Sequence, residues 1–107
     1  MCLTIIAHCA IIHLVIRSFA NPDAEAVFRG QKSRSLPLQL LCSALRKLLI
    51  LDGADGIQDL RVPSGNRLEK LIGDRAGQYS IRINEQWRIC FEWREGNAYR
   101  VEIVDYH

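Results

Sequence analysis

A chain of 107 residues has the bulk for one domain around one core. With 49% hydrophobic and 24% charged residues it does not read as disordered, and a net charge of +2 is too small to mark a nucleic-acid binder by itself. Cys2, Cys9, Cys42 and Cys90 form no C-x-x-C pair and no zinc spacing, so they read as reduced thiols of a cytosolic protein.

The chain opens on MCLTIIAHCAIIHLVI, with no charged side chain before Arg17. This stretch falls short of the roughly 20 apolar residues a membrane helix needs. It also lacks the basic start and small-residue cleavage site of a signal peptide. His8 and His13 interrupt it without the companions a metal site requires. Val15 to Phe19 (VIRSF) then reads as a short strand. A helix follows in ANPDAEAVFRG: Asn21 caps it, Pro22 suits its first turn, Asp23 and Glu25 favour the positive dipole end, and Gly30 stops it. After the basic connector QKSRS comes the strongest helix, LPLQLLCSALRKLLILDG. Leu38, Leu41, Leu45 and Leu48 form its core stripe, Arg46 and Lys47 lie off it, and Gly53 ends it. From Ile16 to Ile50 there are six basic and two acidic residues, a balance of +4; the remainder (eight basic, ten acidic) is −2.

DGADGIQDLRVPSGNR reads as a connector with about one helical turn. Its DGADG lacks calcium-loop spacing, and GQKS lacks the upstream glycine of a phosphate loop. From Arg67 the period becomes two. RLEKLIG is a candidate strand and DRAG a turn. YSIRIN, WRICFEWR and AYRVEIVDYH then alternate across short loops, as in an antiparallel meander. The expected fold class is α+β, with two N-terminal helices packed on one face of a small, mainly antiparallel sheet.

Alternation assigns the faces. Tyr79, Ile81 and Ile83, then Trp87, Ile89, Phe91 and Trp93, then Tyr99, Val101 and Ile103 form the side the helices cover. The other side carries Ser80, Arg82, Asn84, Arg88, Cys90, Glu92, Arg94, Arg100, Glu102, Val104 and Tyr106. That face reads either as ordinary wet surface or as a phosphate-binding surface, since arginine's planar fork suits phosphate. The chain ends on Asp105-Tyr106-His107. The imidazole of His107 lies next to its own terminal carboxylate, which favours the protonated ring, and Asp105 acts the same way. A protonated histidine beside arginines suits phosphodiester cleavage: a base takes the ribose 2′-OH proton, cations stabilise the phosphorane, and an acid protonates the departing 5′-oxygen. Tyr106 can stack on a base. On spacing alone, the triplet reads first as a polar tail satisfying its own strand end.

The stretch NRLEKLIGDRAGQYSIRINEQWRICFEWREGNAYRVEIVDYH resembles the HigB group of the RelE/ParE-like toxins, the plasmid maintenance system killer family. The resemblance rests on G-D-R-x-G-x-[YW]-S-I, W-R-I-x-F, G-x-A-Y and the final D-Y-H. It extends back through IRSFA and covers about residues 15 to 107. It implies a RelE-like toxin of a type II toxin–antitoxin pair. Such a toxin is a cytoplasmic, ribosome-dependent mRNA endonuclease that cuts messages in the A site by metal-independent acid–base chemistry, with no cofactor. The implied partners are a HigA-like helix-turn-helix antitoxin, the ribosome and mRNA, with operator DNA reached only through the antitoxin and no membrane.

By position, the resemblance makes His107, Asp105 and Tyr106 catalytic. His107 serves as acid or transition-state stabiliser, and Asp105 orients it or acts as base. Glu69 falls where at least one relative has a catalytic histidine and many have glutamate, so it too is a candidate base or orienting group. Arg67, Arg75 and Arg88, with Arg82 and Lys70, are expected to hold RNA. Ile72 stands where relatives often carry lysine. Relatives begin Met-Ile-[RK]-Ser-Phe, which aligns with Val15 to Phe19, and a GTG codon can both initiate translation and encode valine. Residues 1–14 are therefore expected to be a leader upstream of the true start, with 15–107 the toxin domain. Two alternatives stay open: a non-nuclease toxin of this fold that inhibits DNA gyrase, and a decayed toxin that only binds its antitoxin.

Overall fold

A computed structural model of the chain describes residues 15–31, 36–61, 64–71 and 77–105. The leader 1–14, the connector 32–35 and most of the DRAG turn lie outside the described residues.

Helix α1 (Pro22–Phe28) starts as its sequence dictates. Asn21 is extended, and its Oδ1 accepts the Ala24 N–H at 3.0 Å, while Pro22 occupies the first turn, where an N–H would lack a partner anyway. Helix α2 (Leu38–Asp52) buries Leu40, Ala44, Leu45, Leu48 and Leu51. The expected stripe is thus rotated: Leu38 is 67% exposed and Leu41 only partly buried. Leucines occur on several sides of this helix, so leucine spacing alone does not fix its buried centre. The small, fully buried Ala44 marks that centre. The connector after α2 contains two short 3₁₀ turns, Ile57–Arg61 and Ser64–Asn66.

Four strands follow, β1 (Glu69–Lys70), β2 (Gln78–Arg82), β3 (Trp87–Arg94) and β4 (Asn97–Asp105), paired antiparallel in sequence order. A two-residue loop joins β3 to β4. Both of its residues, Glu95 (φ 52°) and Gly96 (φ 80°), have positive φ, the backbone that matches strand twist in a tight hairpin.

The segment Val15–Phe19 pairs with β4, but parallel to it, through bridges Ile16↔Ala98 and Phe19↔Val101. The Arg17 N–H donates to Ala98 O at 2.7 Å, and the Val101 N–H donates to Ser18 O at 3.0 Å. β4 is therefore an interior strand, hydrogen-bonded on both edges.

Ile81, Ile89, Phe91, Val101 and Ile103 face the helices as expected and join them in one core. Tyr99 does not. The register runs Cys90↔Glu102 and then Glu92↔Tyr99, so one extra β4 residue stands against Phe91. This bulge is made at Arg100, which has φ 54° and whose N–H donates to Ser18 Oγ at 2.8 Å. The bulge turns Tyr99 to the other face, where the Arg94 guanidinium lies 4.2 Å from its ring centroid. Ala98, fully buried, takes the core position instead. Among the described residues, no helix is long and apolar enough to cross a membrane.

Candidate active site

The face away from the helices is not uniformly wet. Ser80 and Cys90 are fully buried, and Arg88 is only 7% exposed. A buried guanidinium demands partners for its donors, and Arg88 finds them on β2 and in the segment entering β1. Its Nε donates to Ser80 Oγ at 2.8 Å, and its Nη2 donates to the Arg67 carbonyl at 2.6 Å. Glu69 Oε1 lies 3.5 Å from the same Nη2, with its side chain 56% exposed. The planar fork thus ties β3 to β2 and to the segment entering β1.

Arg67 supplies that carbonyl from a left-handed backbone, φ 46°. A non-glycine residue adopts this conformation rarely, and its surroundings must hold it there. Two groups do so here. Asn66, fully buried, donates through Nδ2 to the Leu60 carbonyl at 3.2 Å. Its Oδ1 accepts from Lys47 Nζ, on α2. Burial, and secondarily the neighbouring Arg46 charge, holds the Lys47 amine below its ordinary value. A continuous chain of contacts therefore runs from α2 through Asn66 and Arg67 to Arg88. Lys47, Asn66 and Ser80 were not identifiable as site-supporting residues in the sequence. Lys47 is merely a cation off the leucine stripe, and nothing in its spacing announces Asn66 as its partner.

The sheet register places the remaining candidates. Arg82 stands directly opposite Arg88 and is partly exposed, so it shares that face. Two arginines opposite one another repel, and Glu69 at Arg88 offsets this. Glu69 pairs in register with Ser80, the residue that receives Arg88. Lys70 pairs with Tyr79, which sets it toward the helix-covered side, apart from the arginines. Asp105 stands opposite Trp87 at the end of β4, exposed, and accepts from Gln86 Nε2 at 3.1 Å. Val104 stands opposite Arg88. Asp105 therefore sits at the same end of the sheet as Arg82 and Arg88, where β2 ends and β3 begins, but its pairing with Trp87 sets it toward the helix-covered side, and Val104 takes the arginine face. Arg75, Tyr106 and His107 lie outside the described residues, as does Ile72. Among the described residues, no group of three His, Cys, Asp or Glu side chains is placed to hold a metal ion.

The arrangement offers an exposed carboxylate and a partly exposed guanidinium around a buried, fixed one. Such a site can take an anionic, hydrogen-bonding ligand such as a phosphodiester without rearranging its central cation.

Comparison with known proteins agrees with this architecture. The family model described as the RelE-like toxin of type II toxin-antitoxin system HigB matches residues 17–107. The chain is 44% identical over 68 residues to Toxin HigB-1 of Vibrio cholerae serotype O1, an alignment covering 64% of this chain and 72% of that one. It is 31% identical over 93 residues to Endoribonuclease HigB of Proteus vulgaris, covering 87% of this chain and all of the relative. An uncharacterized protein of Haemophilus influenzae is 33% identical over 78 residues, covering 73% of this chain and 76% of that one. A family match over so much of the chain, on the fold just described, means that this protein belongs to the HigB family of RelE-like toxins of type II toxin–antitoxin systems.

Proposed function

We propose that this toxin is a cytoplasmic endoribonuclease that cuts messenger RNA in the ribosomal A site and is neutralised by a HigA-like helix-turn-helix antitoxin, its only route to operator DNA. The observation that carries this reading is the alignment to the whole length of the Proteus vulgaris endoribonuclease. The geometry around Arg88 supports it. Glu69, the exposed carboxylate paired in register on the arginine face, acts as general base on the ribose 2′-OH. The 2′-oxygen attacks phosphorus, the bond from phosphorus to the 5′-oxygen breaks, and His107 gives its proton to that oxygen. The products are a 2′,3′-cyclic phosphate and a free 5′-hydroxyl. Arg82, with Arg67 and Arg75, carries the phosphorane's added charge, and Arg88 holds the carbonyl of Arg67 and the carboxylate of Glu69 in place. Asp105 orients the His107 imidazole, and Tyr106 stacks on the nucleotide. Lys70 is assigned no RNA contact at this face, because its pairing with Tyr79 sets it toward the helix-covered side.

Deleting Tyr106 and His107 tests this assignment. The truncated protein is expected to keep its circular dichroism spectrum and antitoxin binding while losing growth inhibition and mRNA cleavage in a ribosome translation assay. Continued cleavage refutes the site. Induction that leaves messages intact but traps gyrase on DNA refutes the ribonuclease reading itself.

A further inference from the structure

Arg88 uses its donors inside the protein, but other guanidiniums of the same sheet face reach solvent at its opposite end, beside the β3–β4 loop. The Arg94 and Arg100 side chains are 62% and 65% exposed. Exposed Arg17 joins them from the amino-terminal segment: its Nε donates to Oδ1 of Asn97, the residue opposite Arg94, at 3.1 Å. Arg94 Nη2 lies 3.6 Å and Arg100 Nε 3.7 Å from the two oxygens of Glu92, both too long for hydrogen bonds. Among the described residues neither guanidinium makes a hydrogen bond, so both forks are open to a ligand. Glu102, opposite Cys90, stands nearer the Arg88 end, and Glu95 lies in the loop.

The backbone is bent to build this cluster. Regular alternation would send Tyr99 toward the helices with Val101 and Ile103. The bulge at Arg100, held at φ 54° by Ser18, instead puts two consecutive side chains, Tyr99 and Arg100, on the outer face. Arg94 then lies 4.2 Å from the centre of the Tyr99 ring, which fixes the plane of its guanidinium before any ligand arrives. Open arginine forks suit phosphate oxygens, and an arginine–tyrosine stack suits an unpaired base. We propose that Arg94, Tyr99 and Arg100, with Arg17, form a second RNA-binding site that holds the single-stranded message away from the bond being cut.

The inference rests on the reading that this face takes RNA, and the register gives it a length. Arg88 and Arg94 lie on one strand, β3, six residues apart (94 − 88 = 6). At about 3.4 Å per residue they are roughly 20 Å apart. A strand of stacked nucleotides advances about 3.4 Å per step, so the second site meets the message about six nucleotides from the scissile bond. Glu92 is no barrier on that path, because both arginines already face its carboxylate.

The test is fluorescence anisotropy of the full chain with a 12-nucleotide RNA methylated at every 2′-oxygen, which lacks the attacking hydroxyl and is not cut. The variant is Arg94→Gln with Arg100→Asn, because asparagine tolerates the left-handed backbone at position 100. It should bind the RNA about tenfold more weakly at 0.1 M salt. The slope of log affinity against log salt should fall by about 1.4, at about 0.7 for each phosphate contact on a single strand. Arg94→Gln alone leaves the bulge in place and should give about half of that change in slope. Tyr99→Leu should weaken binding about fivefold or more with the slope unchanged, since stacking carries no charge. An unmodified toxin that does not bind the RNA, or a double variant with unchanged affinity and slope, overturns the proposal. So does a double variant that binds the RNA normally but no longer sediments with ribosomes or no longer holds its antitoxin, because the surface then belongs to ribosomal RNA or to that protein. Cleavage by the unmodified toxin in a ribosome translation assay is read separately. RNA binding lost in the variant without cleavage by the unmodified toxin refutes the ribonuclease reading and leaves the second site standing.

Discussion

Replacing Arg88 with methionine separates two roles that the sequence could not distinguish, RNA contact and scaffold. Methionine keeps the apolar stem of the side chain and removes the guanidinium. Two short bonds from a charged donor disappear, Nε to Ser80 Oγ at 2.8 Å and Nη2 to Arg67 O at 2.6 Å. Buried hydrogen bonds to a charged group contribute about 1.5–3 kcal/mol each, and taking the lower figure because the Ser80 hydroxyl can rotate gives about 3 kcal/mol for the two. The Glu69 pair adds nothing to this figure, because its carboxylate is 56% exposed and well screened. At about 4–8 °C per kcal/mol for a domain of this size, the melting temperature should fall by roughly 12–24 °C. Thermal unfolding followed by circular dichroism reads it directly, with cleavage measured in parallel well below the new midpoint. A residue that served only to bind RNA would lose affinity and leave the melt unchanged. An R88M protein melting within about 3 °C of the unmodified toxin refutes the scaffold role.

Two further substitutions probe the same frame. Lys47→Met removes the amine that holds Asn66, and it should slow cleavage more than it weakens RNA binding, because Lys47 acts through Asn66. The Lys47 amine is held below its ordinary value, so the unfolded chain binds more protons between the lowered value and 10.5, and stability should rise with pH across that window. K47M should flatten this rise, and a rise of unchanged size in urea titrations would assign it to another group. Glu95→Asn places a residue tolerant of positive φ in the β3–β4 loop and should stabilise by about 0.5–1 kcal/mol, read as a shift of the urea midpoint at constant slope. A destabilised E95N would mean that the loop is held by more than its own backbone.

The period-two segments and the capped first helix were legible because local rules govern them. Asn21, Pro22 and Gly30 each act within one turn, and alternation from Tyr79 onward needs only the sheet's pleat. Tyr99 escaped those rules. A bulge depends on where the partner strand and Ser18 sit, and an arginine at φ 54° leaves no compositional trace. The parallel seat of Val15 to Phe19 was equally hidden, since a five-residue strand does not encode its neighbour. For the site, the sequence motif pointed to Arg67, Glu69 and Arg88, and the structure joins those three. What the motif did not carry was depth. A buried, fully engaged arginine and an exposed one look identical in one dimension, and so do a lysine on a wet helix face and Lys47 reaching Asn66.

The seat of Val15 to Phe19 on β4 also governs how the protein folds. Ser18 meets Arg100, and Asn21 meets Ile103, each across 82 residues. The β3–β4 hairpin closes over the two residues Glu95 and Gly96. Loop-closure entropy grows as (3/2)RT ln n, which makes the long closure dearer than the hairpin by roughly 3 kcal/mol. The meander should therefore assemble early and the amino-terminal segment late. Until that segment arrives, β4 has one bare edge carrying unpaired amides beside apolar Val101 and Ile103, the kind of edge through which partly folded chains associate.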